Sequence, residues 1–397
     1  MTEDRGAALG LLTAAAVRER GHEVLAAGLR GDLAHWRVDL DRLPAVADLT
    51  AQVVGDNYPD LKVPFHARWR HFVVAGQDLW AERVAADGWT DRARIARAAF
   101  DLAICSVLLD AGAGMVWRYA DAATGAVLAR SEGLGIASLR LFESGALSAD
   151  PADPLRADAL SRVDAALLAR ACQVTQANPL VGLEGRAALL RRLGEAVGRP
   201  GDLFDVMAGR AVGGRLPAPV ILEVLLEALG PIWPGRMSLG GLPLGDCWRH
   251  PAIRRDDATD GLVPLHKLSQ WLAYSLIEPL EAAGVAVGDV NGLTGLAEYR
   301  NGGLFVDLGV LILRDPADAA RAHPVEGELV VGWRAMTVAL LDRLAPLVRE
   351  RLGVAAEDFP LARMLEGGSW AAGRRIAQSL RPDGGSPLTV ISDGTVF

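Results

Sequence analysis

Apolar residues recur every three or four positions through most of the chain, a period that predicts a mainly α protein. The strongest run is Leu265, Leu268, Leu272, Leu276 and Leu280. It follows Pro264 at a first-turn position and predicts a helix that Gly284 can close. A second four-residue series, His266, Gln270, Tyr274 and Glu278, gives this helix a polar and aromatic face, with Lys267 and Trp271 beside it. Gly288, Asn291, Gly292 and Gly295 then predict a tight connection into Glu298-Tyr299-Arg300-Asn301-Gly302-Gly303 and another apolar segment. The local outline is helix, hairpin, helix.

Elsewhere the same period predicts helices over Ala14 to Gly28, despite Gly21, and over Leu43 to Val54. A longer one passes through Ile95 to Leu109, capped by Thr90 or Asp91. Two short extended runs around an Ala-Thr-Gly turn predict a small β-hairpin between Met115 and Arg130, followed by a short helix within Ser131 to Gly145. Ser148 to Pro154, reading SADPADP, is the candidate boundary. It divides the chain into an N-terminal helical lobe with the hairpin, 1–150, and a second helical lobe with a β-rich tail, 151–397. In the second lobe helices are predicted over Leu155 to Gln173, Leu183 to Val197, Pro219 to Leu229, Glu328 to Leu352 and Trp370 to Leu380. Pro346 is a candidate kink. Leu388 to Phe397 reads as a strand that can join the early hairpin.

Composition narrows the function classes. The net charge of −8 and the lack of any Lys/Arg-rich run argue against binding nucleic acid by phosphate neutralisation. Three scattered cysteines, Cys105, Cys172 and Cys247, suggest neither a disulfide framework nor a metal-binding Cys pair and fit a reducing, cytoplasmic setting. No uncharged apolar run approaches the roughly twenty residues needed to span a bilayer, so no membrane partner is expected. The seven histidines show no tight ligand spacing, and the usual nucleotide, hydrolase and metalloprotease motifs are missing. No cofactor or metal is therefore expected.

Three stretches carry candidate chemistry. Val63 to Phe72, VPFHARWRHF, packs two histidines, two arginines and three aromatics into ten residues. Arg68, Arg70 and His71 could hold an anionic or hydroxyl-rich ligand there, although a packing seam between helices would show the same pattern. Met237 to His250, MSLGGLPLGDCWRH, is a Gly-rich break whose Asp246 and Trp248 could form a pocket wall or an ordinary interhelix loop. In the third, Glu298 beside Arg300 is either a structural ion pair or a reactive carboxylate.

VPFHARWRHF, LTGLAEYRNGGLFVDLGVL and the terminal SDGTVF, with the whole length, resemble the uracil-catabolism protein family of bacteria and fungi, long labelled a domain of unknown function. That resemblance implies a place in a reductionless breakdown of uracil, in which ring opening yields ribosylurea or its phosphate and urea must then be released. A more distant resemblance bears on the reaction. In the queuosine-nucleotide N-glycoside hydrolases, which have a helix-hairpin-helix DNA-glycosylase-like fold, a Lys-x-x-Gln helix is followed by Asp-Tyr-Arg before a Leu-Gly-Val-Leu run. Lys267 and Gln270 match the first element; Glu298, Tyr299 and Arg300 before Leu308-Gly309-Val310-Leu311 match the second. Here the carboxylate is Glu instead of Asp, one methylene longer.

These resemblances imply hydrolysis of a ribose C1–N bond, with Glu298 stabilising or attacking the cationic sugar and Lys267 assisting the departure of urea. Arg300, Tyr299, His266, Gln270, Trp271, Arg68, Arg70, His71, Asp246 and Trp248 are the candidate binding residues around a small nucleoside-like substrate. A metal-dependent amidohydrolase acting on the ureido group and a non-catalytic scaffold are the alternatives. The oligomeric state is left open.

Overall fold

The computed structural model describes residues 3–391, apart from 111, 115 and 234. It is mainly helical, with only short two-stranded pairings among the described residues. One continuous apolar cluster draws on helices from both sides of residue 150. At its centre stands the helix Lys267–Ala282, which we call the lysine helix. Helices Arg92–Leu108 and Ala218–Leu229 pack against it, and Glu328–Leu352 closes the core against Ala14–Arg30.

Helix boundaries follow capping chemistry. Asp91 accepts from the Ala93 and Arg94 amides at the start of Arg92–Leu108, and Gly284, at φ +96°, turns the chain away after the lysine helix. Helix Leu43–Asn57 runs on through Gly55, and Glu328–Leu352 continues through Pro346. The hairpin exists in small form, with Tyr119–Ala120 antiparallel to Val127–Leu128.

Three expectations are corrected. Pro264 belongs to the strand Leu262–Pro264, paired with Cys247–Arg249, and the lysine helix begins three residues later because His266 turns left-handed at φ +46°. Leu155 to Gln173 is not one helix: a 3-10 turn, Leu160–Arg162, precedes a short helix Ala165–Ala171, because Asp164 caps that helix by accepting from Leu167 N at 2.7 Å. The tail strand Thr389–Ile391 runs parallel to Ala322–Pro324 and does not join the early hairpin; residues 392–397 lie outside the described residues. The connection between the lysine helix and the next helix carries the short strand Ala286–Gly288, which pairs in parallel with Arg215–Pro217.

That next helix, Tyr299–Asp307, is the glutamate helix. It sits unusually close to its neighbours, and glycine is what allows it. A Cβ on Gly302 would lie 2.7 Å from Trp333 Nε1, and one on Gly373 of helix Trp370–Leu380 would lie 2.2 Å from the Arg300 carbonyl oxygen. The second clash is with main chain, which no rotamer relieves. Gly373→Ala is therefore expected to destabilise the protein by about 1–3 kcal/mol or more, read as a lower urea midpoint.

Candidate active site

The Glu298 side chain caps the glutamate helix, Oε2 accepting from Arg300 N at 2.8 Å and Oε1 from Asn301 N at 2.5 Å. Glutamate is not among the favoured N-caps, and this one lines a cavity of about 370 Å³. Lys267, at the first turn of the lysine helix, lines the same cavity. No ion pair within 4.0 Å joins the two groups, yet each feels the other's charge. Burial dominates both: it pushes the Glu298 carboxyl above its usual range against the opposing pull of Lys267 and the two amides, and it pushes the Lys267 ammonium below its usual range. One acid is thus made a weaker acid and one base a weaker base.

Three clamps hold the chain that delivers Glu298. Thr294 is fastened to the lysine helix: its amide donates to Gln270 Oε1 at 3.2 Å, its carbonyl accepts from the Tyr274 hydroxyl at 2.9 Å, and its hydroxyl accepts from Gln270 Nε2. Asn301 Nδ2 donates to the Leu296 carbonyl at 3.3 Å. Arg334 Nε donates to the Ala297 carbonyl at 3.1 Å, while its Nη1 and Nη2 donate to Asp246 at 2.8 and 2.7 Å. Asp246 in turn accepts from Lys267 N at 3.0 Å and Trp248 Nε1 at 2.7 Å. One buried ion pair therefore braces both the backbone of Lys267 and the residue before Glu298.

Burial alone would raise the Asp246 carboxyl, but the Arg334 charge and these donors outweigh it and hold it at about 2. Asp246→Asn would leave Arg334 buried without its counter-charge. A loss of about 3–5 kcal/mol is expected in denaturant titration, with activity falling in step with folded protein.

Of the residues singled out in the sequence, Glu298, Lys267, Arg300, Tyr299, Trp271 and His71 line the cavity. His71 stands edge-on to Trp271, with centroids 5.8 Å apart, and burial, reinforced by the Arg68 charge, lowers its imidazole to about 3. It is a neutral wall near pH 7. Arg300 lines the cavity but commits Nη1 to the Gly384 carbonyl at 2.7 Å, pinning the loop that carries Ser386 and Leu388 into the opposite wall.

The other six binding candidates are not cavity residues. His266 bonds the Leu11 carbonyl at 2.9 Å. It and Asp246 border a separate void of about 10 Å³, room for one water at most. Gln270 is spent on Thr294, and Trp248 on Asp246. Arg68 is fully buried, its Nε donating to Ser106 at 2.6 Å and its Nη1 to Asp110 at 2.8 Å, with its guanidinium 5.6 Å from the Trp271 ring centroid. Arg70 Nη2 donates to both carboxylate oxygens of Glu278, at 2.7 and 2.6 Å. Gln270 and Tyr274 of the polar series thus face the connector, and the cavity takes the adjacent stripe of Lys267 and Trp271, four residues apart.

Comparison with known proteins places this architecture. The family described as protein of unknown function (DUF1688) matches residues 10–397. The chain belongs to that family. Among curated proteins, "Protein urg3" of Schizosaccharomyces pombe is 42% identical over 405 residues, covering 98% of each chain. "Uracil catabolism protein 4" of Lachancea kluyveri is 37% identical over 409 residues, covering 91% of this chain and 92% of its own.

Several residues lining this DUF1688 cavity were not singled out from the sequence. Asp110, paired to Arg68, brings a second carboxylate; Arg130 and Ser131 stand at the start of helix Arg130–Glu143; and His66 and Trp370 complete the aromatic wall. Only His66 had a signal, as a member of VPFHARWRHF, where the arginines drew the attention. Among the described residues no three His, Cys, Asp or Glu side chains gather into a metal-holding group, and no helix is long and apolar enough to cross a membrane.

Proposed function

We propose that this protein acts in uracil catabolism by hydrolysing the C1–N bond between ribose and urea, in ribosylurea or its 5′-phosphate. The observation that carries the reading is the cavity, which a capped, buried carboxylate, a half-buried lysine and several aromatic rings line together in a space of small-molecule size. The naming of a 37%-identical relative for uracil catabolism supports the pathway.

As the C1–N bond lengthens, the electron pair leaves with the urea nitrogen and positive charge spreads over C1 and the ring oxygen. Ionised Glu298, held by two amides, stabilises that charge without reorganising. Urea leaves poorly as an anion. Lys267, made more acidic by burial, hydrogen-bonds the departing group and delivers its proton to nitrogen. Water adds its oxygen to C1 and loses a proton, giving ribose, or its phosphate, and urea.

The test is incubation of the purified protein with ribosylurea and, separately, with its 5′-phosphate, assaying urea. Release of urea and free sugar from either one supports the reading and names the substrate. Ammonia and carbon dioxide with the C1–N bond intact, or no turnover of either, would overturn it.

A further inference from the structure

The hydrolysis above leaves one role unfilled, the group that takes the proton from water. We propose that His66 is the general base of this site, with Glu366 as its positioning residue; the inference rests on the C1–N hydrolysis reading and completes it.

The geometry leaves His66 one open edge. Its backbone amide donates to the Ala362 carbonyl at 3.0 Å. Its ring stacks on Trp271, with centroids 6.0 Å apart at 28°, and lies 6.5 Å from Trp370. Nδ1 sits 2.7 Å from Glu366 Oε2. A carboxylate accepts hydrogen bonds, so Nδ1 carries the hydrogen, and in the neutral imidazole Nε2 holds the lone pair. His66 lines the cavity that holds Glu298 and Lys267. Glu366 lies in a π-helical turn, Leu365–Ser369, inserted before helix Trp370–Leu380. Such turns cost helix regularity and recur where a side chain must be aimed. Two glycines of that turn, Gly367 and Gly368, lie where a Cβ would come within 2.8 Å of Val63 and 2.7 Å of Thr50, so the turn is seated closely against Val63, three residues before His66, and against helix Leu43–Asn57.

The rival bases are less suited. His71 is held neutral, since burial and the Arg68 charge outweigh the pull of Asp110, and its Nδ1 is buried without a hydrogen-bond partner, so no carboxylate orients its ring. Asp110 is matched by the Arg68 guanidinium. In the step, the water oxygen bonds to C1 while its proton passes to His66 Nε2, and the resulting imidazolium is balanced by Glu366. The proton given to urea comes from Lys267, and His66 later returns its own through solvent, so the cycle closes without a further reactant.

The test uses His66→Ala in the full-length protein, with urea release as the readout and sodium azide as a nucleophile that needs no base. Without azide, kcat should fall about a hundredfold or more at near-constant KM. With azide, urea release should recover and ribosyl azide should form, since Glu298 and Lys267 remain. Glu366→Gln preserves the bond to Nδ1 but removes the charge; it should lower kcat about tenfold and be rescued by azide in the same way. A folded His66→Ala protein with wild-type kcat, or one whose lost activity azide does not restore, overturns the assignment. Should His66→Ala not fold, Glu366→Gln decides by the same azide criterion. Absence of turnover in the wild-type protein would instead count against the reaction itself, which keeps the two failures distinct.

Discussion

Glu298→Gln is expected to lower urea release by on the order of a hundred- to a thousandfold while substrate still binds. The substitution keeps size and one hydrogen-bond acceptor but removes the charge that the developing cation needs, and loss of one preorganised electrostatic group has effects of that order. The stability change should be small. Glutamine can accept from only one of the Arg300 and Asn301 amides through its single oxygen, so about 1 kcal/mol of capping is at stake. Kinetics and thermal melting on the same sample separate these effects. A variant that melts like wild type and keeps full turnover would remove Glu298 from the chemistry.

Lys267→Met should lower turnover comparably and, at the same time, raise the melting temperature. Burial depresses the Lys267 pKa in the folded protein relative to the unfolded chain. The folded state therefore binds this proton less well, and below the folded pKa the charged side chain opposes folding. An apolar chain of similar length removes that opposition, giving a rise of about 1 °C for each 1 kcal/mol recovered in a chain of 397 residues. A plain structural ion pair behaves oppositely, since breaking one costs about 3–5 kcal/mol. The same shift places the alkaline limb of the wild-type pH profile below the usual lysine range, and that limb should vanish in the variant. If Glu298 and Lys267 act as a unit, the double variant will be much less than multiplicatively worse.

Much of this was legible in the sequence because it is local. Leucines three and four apart marked the lysine helix, Asp91 its neighbour's start and Gly284 its own end. The lysine and the glutamate were reached by resemblance, since neither has a local signature separating it from a surface pair. What stayed illegible is what depends on contacts across the chain. His66 acquires its place from Glu366, 300 residues away. Asp246 looked like a ligand-binding carboxylate because nothing nearby in sequence announces Arg334, 88 residues on, as its partner. In the VPFHARWRHF segment the long arginines reach Asp110 and Glu278, while His71, singled out with them, and His66, which was not, stay at the cavity. The polar series of the lysine helix misled for a related reason. A helix with neighbours on every side has no solvent face, so its polar residues mark where backbone must be tied down.

The brace formed by Arg334 and Asp246 divides labour within the protein. It fixes Lys267 and Glu298 from behind, through backbone, without touching the cavity they line. The facing wall is assembled from peripheral pieces, the start of helix Arg130–Glu143 and the loop that Arg300 pins at Gly384. Substitutions there can reshape the cavity without disturbing the pair behind it. Under the proposed hydrolysis, descendants of this scaffold are free to diverge in the sugar they admit while inheriting the bond they break.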